Sequence, residues 1–303
     1  MAENTFTFPS FAKINWFLRV LGKRPDGFHE LCTVFQTVSL HDNLTFSNHN
    51  EIVLTCEDKK IPTDEKNLII KAALELKQKF NIKMGAKVHL EKNIPAPGGL
   101  GGGSSNAAAA FLGLIKLWKI EIDFAELLEI GKKLGSDVPF FFFGGTALGT
   151  GRGTEILPLG DLTENHLLII TPNVNVSTAE AFARLSAPHL TNKSSKSILQ
   201  ICCDEAKTLD LRHSLLINDF EKTVFKIEPE IERVKEKLLE LKAKHTLLSG
   251  SGASVFAIFE SRSQLQSAFD ELKTEQTWRK FIVRTISRQE YRALLNFEQR
   301  VAG

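Results

Sequence analysis

A chain of 303 residues with 43% hydrophobic and 24% charged residues can bury about two cores and still stay in water. Its net charge of +2, with no concentrated basic stripe, argues against a nucleic-acid partner. Four cysteines without C-x-x-C or metal-ligand spacing point to a reducing compartment. The amino terminus lacks the apolar core of a secretory signal, and no run approaches the roughly 20 apolar residues of a membrane span, so a cytoplasmic protein with no membrane partner is expected.

Taken in chain order, β-branched and aromatic residues predict strands over 11–20, 31–40, 43–46, 52–56 and 87–90. On the first of these, Lys13 and Asn15 share a face by the two-residue side-chain period. Lys13 sits between Ala12 and Ile14, which suits either an edge-strand lysine or a buried ammonium with work to do. Arg24-Pro25-Asp26-Gly27 reads as a turn that presents Phe28 and His29. That pair is either a clamp for a heterocycle or a core phenylalanine beside an exposed histidine. A helix is predicted over 67–80, where Leu68, Ala72, Leu76 and Phe80 recur at helical spacing.

The next segment, PAPGGLGGGSSNAAAA from Pro95 to Ala110, carries the strongest chemical signal. Five glycines in the six positions from Gly98 to Gly103 let a ligand approach the backbone, and Ser104, Ser105 and Asn106 can cap the helix predicted over 104–118. Free amides and the positive helix end then converge on one point, as an anion cradle requires. A flexible linker is the alternative, but Pro95 and Pro97 stiffen the approach and Ala107 to Ala110 favour helix. A Walker A loop is excluded because Ser104 stands where its lysine must be. A dinucleotide fingerprint is excluded because its third glycine falls on Ser104 and Lys92 to Pro97 separate the loop from any strand.

A helix over 123–134 starts at Asp123 and stops at Gly135. GSDVPFFFFGG follows, and Asp137 before Pro139 reads either as an N-cap or as a carboxylate shielded from water by four phenylalanines and poised for proton work. Beyond it, strands are predicted over 146–148 and 167–171 and helices over 177–185, 194–203 and 229–244. On the last, Arg233, Lys235 and Lys237 alternate with Glu232, Glu236 and Glu240 as on a solvated face. Residues 187–196 are the least patterned and read as a surface connection. Strands over 246–248 and 255–259, a helix over 264–274, a strand over 281–286 and a helix over 288–296 close the chain.

AKINWFL, PAPGGLGGGSSNAAAA and LLSGSGASVFAIF, in this order, resemble the three motifs of the GHMP kinase superfamily. The longer segments AKINWFLRVLGKRPDGFHEL and GSDVPFFFFGGTALGTGRGTEILPL are similar to the branch that phosphorylates a cytidyl-bearing alcohol in the non-mevalonate route to isoprenoids. The resemblance covers nearly the whole chain. It implies an α+β, two-domain fold with the active site in the cleft between an ATP-binding domain at 1–160 and a substrate-binding domain at 161–303. It implies a small-molecule kinase using ATP and Mg²⁺, with Lys13 and Asp137 catalytic. Pro95, Ala96, Pro97, Gly98, Gly99, Leu100, Gly101, Gly102, Gly103, Ser104 and Ser105 would wrap the ATP phosphates, Ser105 lying nearest the metal. Asn67, Leu68 and Lys92 would bound the adenosine, and Asn15, Phe28, His29 and Phe182 the cytidyl substrate. Phe28 departs from the tyrosine more usual there, which preserves stacking and removes a phenolic hydroxyl. Another kinase of the superfamily, or a nucleotide sensor on the same fold, remains an alternative; the presence of Phe28 and His29 argues against the first, and of Lys13 and Asp137 against the second.

Overall fold

The computed structural model describes residues 5–185, 194–211, 214 and 216–295. The expected surface connection therefore lies mostly outside the described residues. Two sheets organise the described residues. The first holds β1 (Phe6–Lys23), β2 (His29–His49), β3 (Ile52–Cys56) and β4 (Gly85–Glu91), completed by β5 (Thr146–Gly151), β6 (Glu155–Pro158) and the two-residue β8 (Ile217–Asn218). Its order is β3-β4-β2-β1-β8, with β5 and β6 continuing from β2. The two strands expected over 31–40 and 43–46 are one, because β1 and β2 form a single long antiparallel ladder that shifts register between Phe11 and Ala12, between Asn15 and Phe17 and between Val20 and Gly22. The second sheet is antiparallel in the order β11-β7-β10-β9, from β7 (Leu167–Pro172), β9 (His245–Leu248), β10 (Val255–Ile258) and β11 (Trp278–Val283).

The helices cover these sheets. α1 (Leu68–Phe80) begins at Asn67, whose side chain accepts from the Ile69 amide, and α3 (Phe124–Leu134) begins at Asp123 in the same way through Glu126. Between them α2 (Gly102–Trp118) is apolar on nearly every side, from Ala107 to Trp118, and runs through the middle of the first core. Gly113 lets it close on β2, since a Cβ there would lie 2.3 Å from the Phe46 ring. α4 (Phe140–Phe143) buries Phe140, Phe141 and Phe142 completely in that core. Burying three such side chains is worth several kcal/mol, roughly 1.5–3 each, and anchors the segment just before them.

Past β7, α5 (Thr178–Arg184) and α6 (Ser194–Lys207) lead to β8, and α7 (Glu221–Ile227) to α8 (Pro229–Glu240). α8 packs Ile231, Val234 and Leu238 against the second sheet beside α9 (Arg262–Glu271). Its outer face is a set of ion pairs as expected: Arg233 with Glu230 and Glu275, Lys237 with Glu240 and Glu271. α10 (Arg288–Leu295) returns to the first core through Tyr291 and Leu295. The sequence reading missed β6, β8 and α7, all too short for periodicity to register. None of the described helices is long and apolar enough to cross a membrane.

Candidate active site

The glycine segment runs between β1 and residues 249–254 as a loop whose carbonyls are turned into the protein. The carbonyl oxygens of Gly98, Gly99 and Leu100 accept from the Ser254 amide at 3.1 Å, Ser249 Oγ at 3.0 Å and the Lys13 amide at 2.9 Å. Gly99 has φ of +71°, and a Cβ there would stand 2.1 Å from the Ser249 carbonyl oxygen, so only glycine fits. Gly101, with φ of +69°, is the residue from which α2 starts, and no side chain caps that helix. This corrects the expectation that Ser104, Ser105 and Asn106 cap it: the helix begins at Gly102, and all three lie inside it. An uncapped helix start beside glycines is the stronger anion site, because its amides remain available to a ligand.

The loop, β1 and the 249–254 turn enclose a cleft of about 340 Å³. Lys13, Asn15, Leu68 and Asp137 line it, together with Pro95 to Ser104 and, from the later part of the chain, Thr178, Phe182, Phe220, Gly250 and Ser251. Lys13 is the buried ammonium and not an edge-strand lysine, for its side chain is 5% exposed. Its Nζ donates to Asn15 Oδ1 at 2.8 Å and stands 3.7 Å from Asp137 Oδ2. Burial holds the Lys13 pKa below the usual lysine range, against the pull of Asp137, which raises it. Asn15 is shared, since its Oδ1 also accepts from the Gly250 amide at 3.0 Å and its Nδ2 donates to Thr33 Oγ1 at 2.8 Å.

Asp137 does not cap α4, whose N-cap is Pro139 without a side-chain bond. Nor is it sealed from water: its side chain is 31% exposed, because the phenylalanines after it point into the core and fix its backbone instead of covering its carboxylate.

At the far end of the cleft His29 stacks on Phe182, with ring centroids 4.8 Å apart and planes 23° apart, and Phe182 meets Phe220 edge-on. Burial and the nearby Lys23 hold the His29 pKa below the usual histidine range. Phe28 does not face Phe182 here. It is 48% exposed, and the Arg152 guanidinium covers it 3.6 Å from the ring centroid.

Three further expected residues are placed away from the cleft wall. Ser105 is buried, its Oγ accepts from Ser10 Oγ at 2.8 Å, and it is the preceding Ser104 that lines the cleft. The expectation that Ser105 lies nearest a metal is corrected accordingly: the helical turn carries its side chain into the core. Lys92 is paired with the buried Asp42 at 2.6 Å, and Asn67 is occupied as the α1 cap. Among the described residues no group of three or more His, Cys, Asp or Glu could hold a metal ion. The sequence reading missed Thr33, Thr178, Phe220, Gly250 and Ser251, although the SGSGAS motif that supplies two of them was visible.

The family described as GHMP kinases N terminal domain matches residues 67–145, and GHMP kinases C terminal matches residues 204–276. The 4-diphosphocytidyl-2-C-methyl-D-erythritol kinase of Solibacter usitatus is 37% identical over 292 residues, which is 94% of this chain and 90% of its own. That of Thermodesulfovibrio yellowstonii is 39% identical over 266 residues, 86% of this chain and 92% of its own. A crystal structure of 4-(cytidine 5'-diphospho)-2C-methyl-D-erythritol kinase superposes with a TM-score of 0.74 at 28% identity, covering 93% of this chain and 99% of that one. Homoserine kinase from Cytophaga hutchinsonii, at 20% identity and a TM-score of 0.67, shares the fold.

Proposed function

The chain belongs to the 4-diphosphocytidyl-2-C-methyl-D-erythritol kinases of the GHMP kinase family, and from that premise we propose that it transfers the γ-phosphoryl group of ATP to the 2-hydroxyl of 4-diphosphocytidyl-2-C-methyl-D-erythritol, a step of non-mevalonate isoprenoid precursor synthesis. The observation that carries the reading is the Lys13–Asp137 pair, 3.7 Å apart, on the wall of the glycine cleft.

Phosphoryl transfer needs positioning and charge neutralisation more than covalent help. The amides at the start of α2 hold the phosphates, and Lys13 neutralises charge that grows on the transferring group. Asp137 orients the attacking hydroxyl and accepts its proton, and the exposed part of its carboxylate is the part a substrate can reach. Asn15 holds Lys13 in place and ties it to the Gly250 turn. Mg²⁺ is held in such sites by one or two protein oxygens and the phosphates themselves, so the absence of a three-ligand cluster among the described residues is no obstacle. The Ser104 hydroxyl, on the cleft at the start of α2, is the oxygen that would hold it beside the phosphates. When bound, the ion would offset phosphate charge.

Leu68, with Asn67 and Lys92 behind it, bounds the adenosine side. At the other end His29 and Phe182 mark the place of the cytosine, which must part their rings to enter; the neutral imidazole can then both donate to and accept from the base edge. Phe28 adds a further ring once Arg152 releases or backs it. A boundary at 160/161 assigns the glycine loop to one domain and Phe182 with the Gly250 turn to the other.

The test is ADP release with ATP and Mg²⁺ against 4-diphosphocytidyl-2-C-methyl-D-erythritol, mevalonate and homoserine. Turnover is expected with the first only, with a phosphate monoester as product. Comparable kcat/KM on mevalonate or homoserine would favour another kinase of the family, and ATP binding without ADP release on any alcohol would favour a sensor.

A further inference from the structure

Asp42 lies on β2 opposite Ser10 of β1, outside the cleft wall, and is completely buried. Four donors converge on its carboxylate. Oδ1 accepts from the backbone amides of Asn93 and Ile94, at 2.7 and 2.8 Å. Oδ2 accepts from Lys92 Nζ at 2.6 Å and Asn106 Nδ2 at 2.8 Å. Three of these donors come from residues 92–94, immediately before the glycine loop, and the fourth comes from α2, immediately after it. One carboxylate therefore holds both ends of the segment that would wrap the ATP phosphates.

We propose that Asp42 is a positioning residue for phosphate binding: it fixes the separation of the two ends of the glycine loop, so that the amides at the start of α2 already point into the cleft before ATP arrives. The inference rests on the ATP-binding reading of that loop. A loop of seven residues, 95–101, rich in glycine has many conformations of its own, and a ligand that must select one binds more weakly by the fraction of time the loop spends there. Fixing both ends removes most of that freedom, and amides held in advance need no reorganisation as the phosphate arrives. A carboxylate suits the post because all four partners are donors. An asparagine would turn an NH₂ toward two of them and leave those two without an acceptor. Ser10 provides a control within the same network, since its hydroxyl contacts Asn106 and Ser105 and not Asp42.

The experiment compares Asp42→Asn, Asn106→Ala and Ser10→Ala with the wild type in Mg·ATP binding by calorimetry and in steady-state kinetics, at a temperature where circular dichroism shows each to be folded. Asn106→Ala is expected to raise the Kd and KM for ATP roughly tenfold, the loss of one hydrogen bond to a charged group. Asp42→Asn should raise them further. The kcat and the KM for the cytidyl alcohol should stay within about twofold, and Ser10→Ala should behave like the wild type in ATP binding, because the Asp42 bonds survive it. A folded Asn106→Ala variant with wild-type affinity for ATP overturns the proposal, and this holds even if Asp42→Asn fails to fold. Equal rises in KM for both substrates, or a lower melting temperature with unchanged ATP affinity, would reduce Asp42 to a structural residue. If the wild type binds ATP but does not phosphorylate the cytidyl alcohol, the functional reading fails while the ATP affinities still decide the role of Asp42.

Discussion

Replacing Lys13 by methionine should abolish most turnover while leaving the protein as stable as before or more so. The ammonium has two polar partners, Asn15 Oδ1 at 2.8 Å and Asp137 Oδ2 at 3.7 Å, and lies 5.7 Å from the centre of the Phe35 ring. Its depressed pKa means that burial disfavours the charged form by more than these partners favour it. Nor does the substitution leave an orphan. Asn15 Oδ1 keeps the Gly250 amide at 3.0 Å, and Asp137, 31% exposed, can take up water. Methionine fills a similar volume, and because Asp137 reaches water no uncompensated buried charge is left behind, so the expected change runs from nothing to a gain of roughly 2 kcal/mol. In melting temperature that is a rise of at most about 5 °C. Without the charge, kcat should fall roughly 10²–10³-fold, as when one stabilising donor is removed from a transition state. The pH dependence adds a second check. Between the depressed pKa of folded Lys13 and the 10.5 of an ordinary lysine, the unfolded chain binds a proton that the folded chain has released. Wild-type stability therefore gains with rising pH across that window, the variant lacks this gain, and its advantage should shrink. Calorimetric melts near pH 7 and pH 10 with an ADP-coupled assay measure all three. A melting temperature lowered by more than about 5 °C at pH 7 would refute the reasoning and make Lys13 a structural tie.

Asp137→Asn should lower kcat roughly 10²–10⁴-fold while calorimetry finds ATP affinity within about threefold; retention of a tenth of wild-type turnover would rule out its role as base. Gly103→Ala should keep the fold, because the added Cβ meets only Leu68 Cδ1 at 3.9 Å, yet weaken ATP binding roughly tenfold as the methyl displaces a hydrogen-bonded phosphate. Unchanged affinity there would remove the phosphate-cradle reading. Gly101→Val should fail differently, by destabilising the fold, since a Cβ at φ of +69° would lie 2.9 Å from Phe141 and 3.0 Å from Lys13. Thermal melts separate the two glycines. His29→Ala should reduce kcat/KM for the cytidyl substrate roughly ten- to a hundredfold and leave an analogue without cytidine nearly untouched; equal sensitivity of both would reassign His29 to the fold.

The chemistry that local sequence can encode was legible in it. Glycines at 98–103 mean close backbone approach wherever they stand, the two-residue period put Lys13 and Asn15 on one face, and three motifs in order carried the family. Asn67 and Asp123 begin helices as their side chains dictate. What a side chain does depended on which direction the helix or strand aimed it, and that was decided by packing. Ser104 and Ser105 are adjacent and chemically identical in sequence, yet a turn of α2 sends one to the cleft and the other to Ser10 in the core. Asp137 looked sealed by four phenylalanines, but three of them are drawn into the apolar core behind it and leave its carboxylate partly in water. Residues 249–254 lie more than a hundred positions from the glycine loop, and Asp42 more than fifty from the nearest of its backbone donors. No period or propensity links such segments. The 249–254 turn meets the loop because packing the chain's apolar faces brings the two sheets together, and Asp42 meets its donors because β2 pairs with β4 as far as Asn43 opposite Glu91; both depend on free energy that belongs to the whole chain and to no stretch of it.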